Sequence, residues 1–354
     1  MSDNNLGNTS QRIGNVKGRI LKHVVPKEKL GKFCMNERMP SNVGTQMTFR
    51  RWLPHGASVG NPNVWDVQPG AHRINEGETP TANSIVPQDI PVVLDQYAFI
   101  YRWSDRVEDL HEDDVPAATK QIAGQRAGLL LEMIKWGKAK TCTNVYYAGG
   151  VLSRSSVTAL VTATLIANIT RGLENNMAEL LTTALKASSG YETRAIDSCY
   201  VAFHHPNLRY DLEQLPGFVK AKDYPGGSAD LIDPDEIGSL GKVRFVQSPH
   251  FLPYLTAGTT AAANTRLTNN VPNAGGAGNC DVYPIVVMGG EALGSVAFRG
   301  AKSMEVNYKP AKEATKDDIL AQKGVLGMKV YSTAVILNQF HMAVAEVACS
   351  ALIG

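Results

Sequence analysis

The first third of the chain carries the alternation of apolar and polar residues that is typical of strands. Residues 46–53 (QMTFRRWL) alternate, and residues 91–103 (PVVLDQYAFIYRW) combine β-branched and aromatic side chains in rough alternation. The connection between them, residues 54–87, is rich in turn-forming residues and is expected to be irregular. The two strands predict a protruding β arm, which needs a packing partner because an isolated two-stranded hairpin is marginally stable.

The apolar spacing then changes to the period of a helix. A long helix is predicted over residues 115–138, where Pro116 suits the first turn, acidic residues precede the helix and lysines end it. Further helices are predicted over residues 155–169, 173–187 and 333–351.

Short strands alternate with loops in the second half of the chain. Strands are predicted over residues 198–204, 242–246, 282–288 and 303–308, and residues 256–278 form a long, almost uncharged loop. Together with the helices, these elements predict an α+β fold.

Composition and charge narrow the class of protein. The chain has 354 residues, of which 44% are apolar, and its 35 basic and 33 acidic side chains leave a net charge of +2. That composition excludes a disordered chain and a globally basic nucleic-acid binder. The charge is uneven, however, because residues 1–51 hold ten Lys/Arg and three acids. We interpret this basic segment as an extended arm, and the alternative is a solvated tail.

No pattern of reactive residues points to a catalytic or metal site. The five cysteines are scattered without a CxxC pair, which argues against a disulfide framework or a zinc site and favours a reducing compartment. His204 and His205 are adjacent on a predicted strand, so they point to opposite faces and chelate poorly. No apolar run reaches the roughly 18 residues of a membrane span. We therefore predict no enzyme, no cofactor, no metal and no membrane contact.

The two extensions at the start of the chain contain more aromatic surface than they can bury. If they were held away from a core they would expose apolar patches and strand edges, which neighbouring subunits could cover. The residues concerned are Phe33, Trp52, Trp65, Tyr97, Phe99, Tyr101 and Trp103. This pattern predicts a structural protein that assembles with copies of itself.

Seven segments in their order along the chain resemble the major capsid proteins of tailed phages, in particular the family typified by the N-four-like phages, which has the Hong Kong 97 capsid fold. The segments are RRWLP (50–54), EGETP (76–80), LDQYAFIYRWSD (94–105), YYAGG (146–150), EIGSLGKVRFVQSP (236–249), YPIVVMGGEALGSVAFRG (283–300) and DDILAQKGVLGMKVYSTAVILNQF (317–340).

The resemblance implies a division of the chain into the parts of that fold. An N-terminal arm would comprise residues 1–45, and the extended two-stranded E loop residues 46–103. The peripheral domain would comprise residues 104–206, with the spine helix at about 105–140, and the axial domain residues 207–325. Residues 326–354 would return to the peripheral domain.

The resemblance also implies a function. Hexamers and pentamers would build an icosahedral shell around a double-stranded DNA genome, in a virion assembled in the host cytoplasm. The portal is an implied partner. Because this chain lacks a long charged helical leader, the resemblance implies either a separate scaffolding protein or assembly without one. It also leaves room for a decoration protein. The basic arm could contact the packaged DNA without sequence preference or pack on a neighbouring subunit.

Candidate contacts between subunits follow from the E loop and from the acids beside the spine helix. They are Arg50, Arg51, Trp52, Trp65, Asp105, Glu108, Asp109 and Glu112. Ion pairs between the two arginines and these acids would be weak, because exposed pairs contribute about 0–1 kcal/mol. Two alternatives remain open, namely an encapsulin-type compartment that encloses protein cargo and a soluble enzyme that uses His204 or His205.

Overall fold

Strands hold more of the described residues than helices do. The computed structural model describes residues 28–181 and 198–352, apart from gaps at 41, 43, 55–56, 58–68, 78, 80–83, 225–230, 261–266, 269–270, 273–277, 299–303, 315 and 317. The strands are β1 (Met35–Met39), β2 (Gln46–Trp52), β3 (Pro87–Val93), β4 (Asp95–Ser104), β5 (Val145–Tyr147), β6 (Tyr200–His204), β7 (Val219–Lys220), β8 (Glu236–Leu240), β9 (Val243–Gln247), β10 (Leu267–Thr268), β11 (Val271–Pro272), β12 (Tyr283–Met288), β13 (Leu293–Phe298), β14 (Met304–Lys309), β15 (Lys323–Ile336) and β16 (Met342–Val347).

The predicted long helix is confirmed. The α-helices are α1 (Asp105–Leu110), α2 (Val115–Ala139), α3 (Ala163–Asn175) and α4 (Arg209–Glu213). The side chain of Asp114 caps α2 by accepting a hydrogen bond from the backbone N–H of Ala117 at 3.0 Å, and Pro116 lies in the first turn. A capping acid at the start and Lys138 in the last turn both match the helix dipole.

A five-stranded sheet packs on α2. Strand β15 is its longest member, and it pairs antiparallel with β4 along one edge and with β13 and β14 along the other. Strand β1 joins β13 in parallel. The face that meets α2 is apolar, with Trp103, Ala123, Ala127, Leu326, Met328 and Val330 buried together.

A seven-stranded sheet holds the largest core. Its strand order is β5-β16-β12-β6-β9-β8-β7. Strands β6, β12 and β16 are buried along their whole length. One face of the sheet packs on α3 through Ile166, Ile169 and Leu173, while Trp136 and Phe251 lie in the cluster on the other face.

The predicted strand 91–103 is in fact two strands with different partners. Strand β3 pairs with β2 in an antiparallel hairpin, whereas β4 pairs with β15 over ten residues. The break falls at Leu94, whose backbone N–H donates to the carbonyl of Thr45 at 3.0 Å. Both segments are β-rich, so only their different partners reveal the boundary.

Three predicted helices need correction. The prediction over 155–169 begins too early, because α3 starts at Ala163 after the cap residue Thr162. Of the helix predicted over 173–187, only residues 173–175 are helical, as the end of α3, and residues 176–181 are not. Residues 182–187 lie outside the described residues. The helix predicted over 333–351 is also wrong, because these residues complete β15 and form β16. Strands buried on both faces form continuous apolar runs that cannot be told from a buried helix by periodicity.

Candidate subunit interface

The inner face of the β2–β3 hairpin packs against the body of the subunit. Along β2 the side chains alternate between exposed and half-buried, and the half-buried set includes Met47 and Phe49. With Ile90 and Val92 of β3 they pack against a cluster that contains Met39, Val296 and Val335. The hairpin is therefore anchored at its base by ordinary apolar burial.

The outer face of the hairpin combines an ion pair with exposed apolar side chains. On this face Arg50 lies opposite Asp89, and its guanidinium donates two hydrogen bonds to the carboxylate at 2.7 and 2.8 Å. These hydrogen bonds hold the pKa of Asp89 below its usual range. Trp52 is 63% exposed at one end of β2, and Val93 is 56% exposed at the other end of the hairpin. Ile85 and Val86, just before β3, are 71% and 39% exposed. We call this set the hairpin outer face.

Arg51 points to the opposite side of the strand. Its Nε donates to the side-chain oxygen of Gln88 at 2.7 Å, and partial burial lowers its pKa. It lines a groove of about 430 Å³ between the hairpin and the body, together with Glu179, Glu291 and His341.

The acidic candidates have partners within the subunit. Glu108 accepts hydrogen bonds from the indole N–H of Trp103 at 2.9 Å and from the backbone of Ala311 at 3.2 Å. Asp109 forms an exposed ion pair with Lys312 at 3.0 Å. Asp105 accepts from the backbone N–H of Arg106 at 2.8 Å, and Glu112 is exposed in the bend before α2.

The described contacts thus bring neither arginine to these acids within one subunit. Pairing with a neighbouring copy stays a prediction, and Trp65 lies outside the described residues.

The structure also exposes a pair of apolar residues that the sequence analysis did not identify as a candidate contact. Ile319 and Leu320 are 78% and 77% exposed in the turn between β14 and β15. Asp318 shapes this turn by accepting from the backbone of Gln322 and Lys323, and Ala321 takes a left-handed φ of 54°. Two adjacent apolar residues between charged neighbours are the only signal that the sequence offers.

The histidine pair is built into the structure of the seven-stranded sheet. His204 is fully buried, its Nδ1 lies 2.9 Å from the carbonyl of His205, and burial lowers its pKa to about 4. The Nδ1 of His205 accepts from the backbone of Asn207, and burial likewise lowers its pKa to about 4. Within the described part of the chain, no three His, Cys, Asp or Glu side chains are placed to hold a metal ion. No helix among the described residues is long and apolar enough to cross a membrane.

Comparison with known proteins finds similarity at the level of structure. No family model matches the sequence, and no curated protein matches it. The capsid of Ralstonia phage GP4 aligns with a TM-score of 0.63 at 10% identity, over 99% of this chain and 97% of that one. The capsid of cyanophage Pam1 aligns with a TM-score of 0.59 at 13% identity, over 99% and 100% of the two chains. The encapsulin of Synechococcus elongatus aligns with a TM-score of 0.51 at 8% identity, over 95% and 93%.

These alignments run from end to end of both chains, so they define the whole fold. The protein has the Hong Kong 97-like fold of tailed-phage capsid proteins. The predicted α+β class and the predicted resemblance are both confirmed at this level.

Proposed function

We propose that this chain is the major capsid protein of a tailed phage and that its hexamers and pentamers form an icosahedral shell around double-stranded DNA. The observation that carries the proposal is the near-complete alignment with phage capsid subunits. The uncovered hairpin outer face agrees with it, because exposed apolar patches of this kind usually mark interaction surfaces.

Assembly by this route needs no chemical step. The hairpin outer face of one copy lies on its neighbour, where Trp52 is the natural anchor because large aromatic side chains dominate binding energy at interfaces. The Arg50–Asp89 pair lies at the centre of that face, and its two opposite charges neutralise each other before the contact between subunits forms. Obligate interfaces of this type bury more than about 2,000 Å².

The two sheets suggest where the domains lie. We assign the seven-stranded sheet to the axial domain and the five-stranded sheet with α2 to the peripheral domain. On this assignment β14 and the start of β15 belong to the peripheral domain, since they pair with each other and β15 pairs with β4. This assignment departs from the limits expected from the sequence. Strands β1 and β4 lie within the expected N-terminal arm (1–45) and E loop (46–103) but belong to the five-stranded sheet. Strands β5, β6 and β16 lie in the ranges expected for the peripheral domain (104–206 and 326–354) but belong to the seven-stranded sheet.

The partners follow from the same proposal. A portal, a separate scaffolding protein and a decoration protein are proposed from the resemblance, as is non-specific contact with packaged DNA. The mature subunit would reside in the virion after assembly in the host cytoplasm.

Electron microscopy and light scattering of the expressed full chain test the shell. We expect closed particles from the natural sequence, and free subunits from Trp52→Asp, which places a charge on the hairpin outer face. The matched control is Leu152→Asp, at a 97%-exposed position outside that face, which should still give shells. A stable monomer or dimer from the natural sequence under every assembly condition would overturn the proposal.

An encapsulin-type compartment is the second candidate, because the cyanobacterial encapsulin shares the fold. The contents of particles purified from the natural host separate the two functions. Packaged double-stranded DNA supports a phage head, and protein cargo without a genome supports a compartment.

A further inference from the structure

The turn between β14 and β15 presents two apolar side chains on an ordered frame. Ile319 and Leu320 are 78% and 77% exposed. The carboxylate of Asp318 accepts hydrogen bonds from two backbone N–H groups of the turn, at 3.0 and 2.9 Å. A segment that is already ordered loses little conformational entropy when it binds. We call residues 318–322 the apolar turn.

The groove between the hairpin and the body has an apolar floor and an acidic rim. Phe49, Ile90 and Leu337 are half-buried in its floor. Glu179 and Glu291 line it and are exposed, and neither carboxylate forms an ion pair with any residue that the structure describes. Its volume of about 430 Å³ falls within the range of binding pockets, about 300–1,000 Å³. We call it the hairpin groove.

Basic side chains flank the apolar turn. Lys316 precedes the turn and Lys323 follows it, and both are exposed. No carboxylate of the described ranges pairs with either ammonium group. Two cations beside an apolar turn thus match two anions beside an apolar groove. Such complementarity steers association and fixes the register of a contact.

The apolar turn and the hairpin groove lie at opposite ends of β15. The turn leads into the first residue of the strand, Lys323, whereas Leu337 in the groove follows the last, Ile336. Fourteen residues at about 3.3 Å each place the two features roughly 45 Å apart. One subunit therefore cannot close this contact on itself. A contact between opposite ends of two copies is heterologous, and repeated copies of it build rings or larger assemblies.

We propose that Ile319 and Leu320 of one copy insert into the hairpin groove of a neighbouring copy. The two flanking ammonium groups then lie beside the two carboxylates of the rim. This docking rests on the proposed assembly of the chain with copies of itself. It adds a second contact to the one proposed for the hairpin outer face.

Disulfide trapping between two variants of the full chain tests the docking. All five natural cysteines are buried, so introduced thiols react selectively. Leu320→Cys mixed with Met177→Cys, a variant at a 56%-exposed residue of the hairpin groove, should give a disulfide-linked dimer. Leu320→Cys mixed with Leu152→Cys is the control and should stay reduced. Linkage of Leu320→Cys to itself alone would place one turn on another turn and overturn the proposal.

Light scattering of the same mixtures separates this docking from shell formation. Particles without the linked dimer overturn the docking and leave the shell in place. The linked dimer without particles supports the docking and counts against the shell. Neither particles nor linked dimer overturns both proposals.

An exchange of charges tests the recognition between the two surfaces. Lys316→Glu with Lys323→Glu should lower the yield of the linked dimer about fivefold, the effect of two exposed ion pairs, and so should Glu179→Lys with Glu291→Lys. A chain with all four replacements should recover the yield, because its charges are complementary again. Melting temperatures show that each variant folds. Folded variants that lose no yield, or a fourfold variant that recovers none, contradict the proposed pairing of the turn with the rim.

Discussion

At the scale of single residues, a buried carboxylate of α2 binds the start of the described chain. Glu132 is 1% exposed, and its carboxylate accepts hydrogen bonds from the backbone N–H groups of Lys29 and Leu30 at 3.2 and 3.3 Å. Lys29, itself 5% exposed, reaches the carboxylates of Asp233 and Asp235. This segment thereby contacts both α2 and the turn before β8.

Glu132 should make stability depend on pH. Burial raises its pKa from 4.5 to about 7, although the two backbone hydrogen bonds oppose that shift. A carboxyl whose pKa is raised by folding stabilises the fold below its unfolded pKa, and this contribution is lost as pH rises through the folded pKa. Between about pH 5 and pH 8, the free energy of unfolding should fall by roughly 2–3 kcal/mol through this group.

Denaturant unfolding across that pH range measures the effect. Glu132→Gln should flatten the profile, whereas Glu174→Gln, which alters an exposed pair with Lys242, should leave it as in the natural protein. If the natural protein and Glu132→Gln show the same pH profile, Glu132 is not the titrating group.

A second ion pair joins the partly exposed Arg154 to a buried carboxylate of β16. Arg154 donates to the carboxylate of Glu346 at 2.8 and 2.6 Å, and Glu346 is completely buried. Arg154→Ala should lower the free energy of unfolding by about 3–5 kcal/mol, because it leaves a buried charge without its partner. Arg209→Ala is the control, since its pair with Glu213 is exposed and worth no more than about 0.5 kcal/mol. Similar losses in the two variants, measured by urea unfolding, would contradict this reading of Glu346.

At the scale of elements, β15 organises the five-stranded sheet by pairing along both of its edges. Gly324 of β15 leaves room for the side chain of Trp103 on the neighbouring strand β4. Gly324 lies opposite Trp103 in the register, and a Cβ on Gly324 would lie 2.2 Å from the indole nitrogen. Trp103 is 1% exposed and is held by its hydrogen bond to Glu108, so it has little room to move.

Two glycine substitutions in the same strand separate packing from backbone effects. Gly324→Ala should destabilise the protein by about 1–3 kcal/mol through overpacking. Gly327→Ala should change stability by less than about 0.5 kcal/mol, because the nearest atom to its Cβ is 4.0 Å away. Thermal unfolding compares them directly, and equal melting temperatures would show that Trp103 can move aside.

At the scale of the whole molecule, the hairpin is anchored at its base and exposed on its outer side. Its strands end at Trp52 and begin again at Pro87, so the connection between them can be shortened without touching the paired residues. Deleting residues 57–84 should leave a soluble, folded subunit that fails to form stable shells, because the deletion removes the connection that we propose to contact the neighbouring subunit. Light scattering distinguishes free subunits from particles, and normal particles from this deletion would refute the role of the tip.

The fold class, the long helix and the existence of most strands could be predicted from sequence. The helix over 115–138 is marked by local signals, a cap, a proline and flanking charges, and these act over a few residues wherever the chain folds. The strand predicted over 282–288 is confirmed, since the structure forms a strand at Tyr283–Met288. The region after residue 333 was wrongly predicted to be helical, because a strand buried on both faces shows no alternation of apolar and polar residues.

The candidate interface was predicted only in part. The sequence indicated Trp52 as an exposed contact, and the structure leaves it uncovered, but the neighbour that would cover it is still a prediction. Arg50 and Glu108 have partners that lie 39 and 203 residues away in sequence. No local sequence pattern predicts contacts between residues so far apart in the chain.

The sequence by itself determined the ends of the long helix α2, most strand-forming segments and the uneven charge, because propensity, capping and charge are properties of neighbouring residues. Only the tertiary structure decided that the stretch after Pro87 divides between two sheets and that β15 pairs with β4, β13 and β14. These outcomes depend on which distant segments meet, and strand pairing is chosen by the packing of whole faces rather than by the residues of one strand.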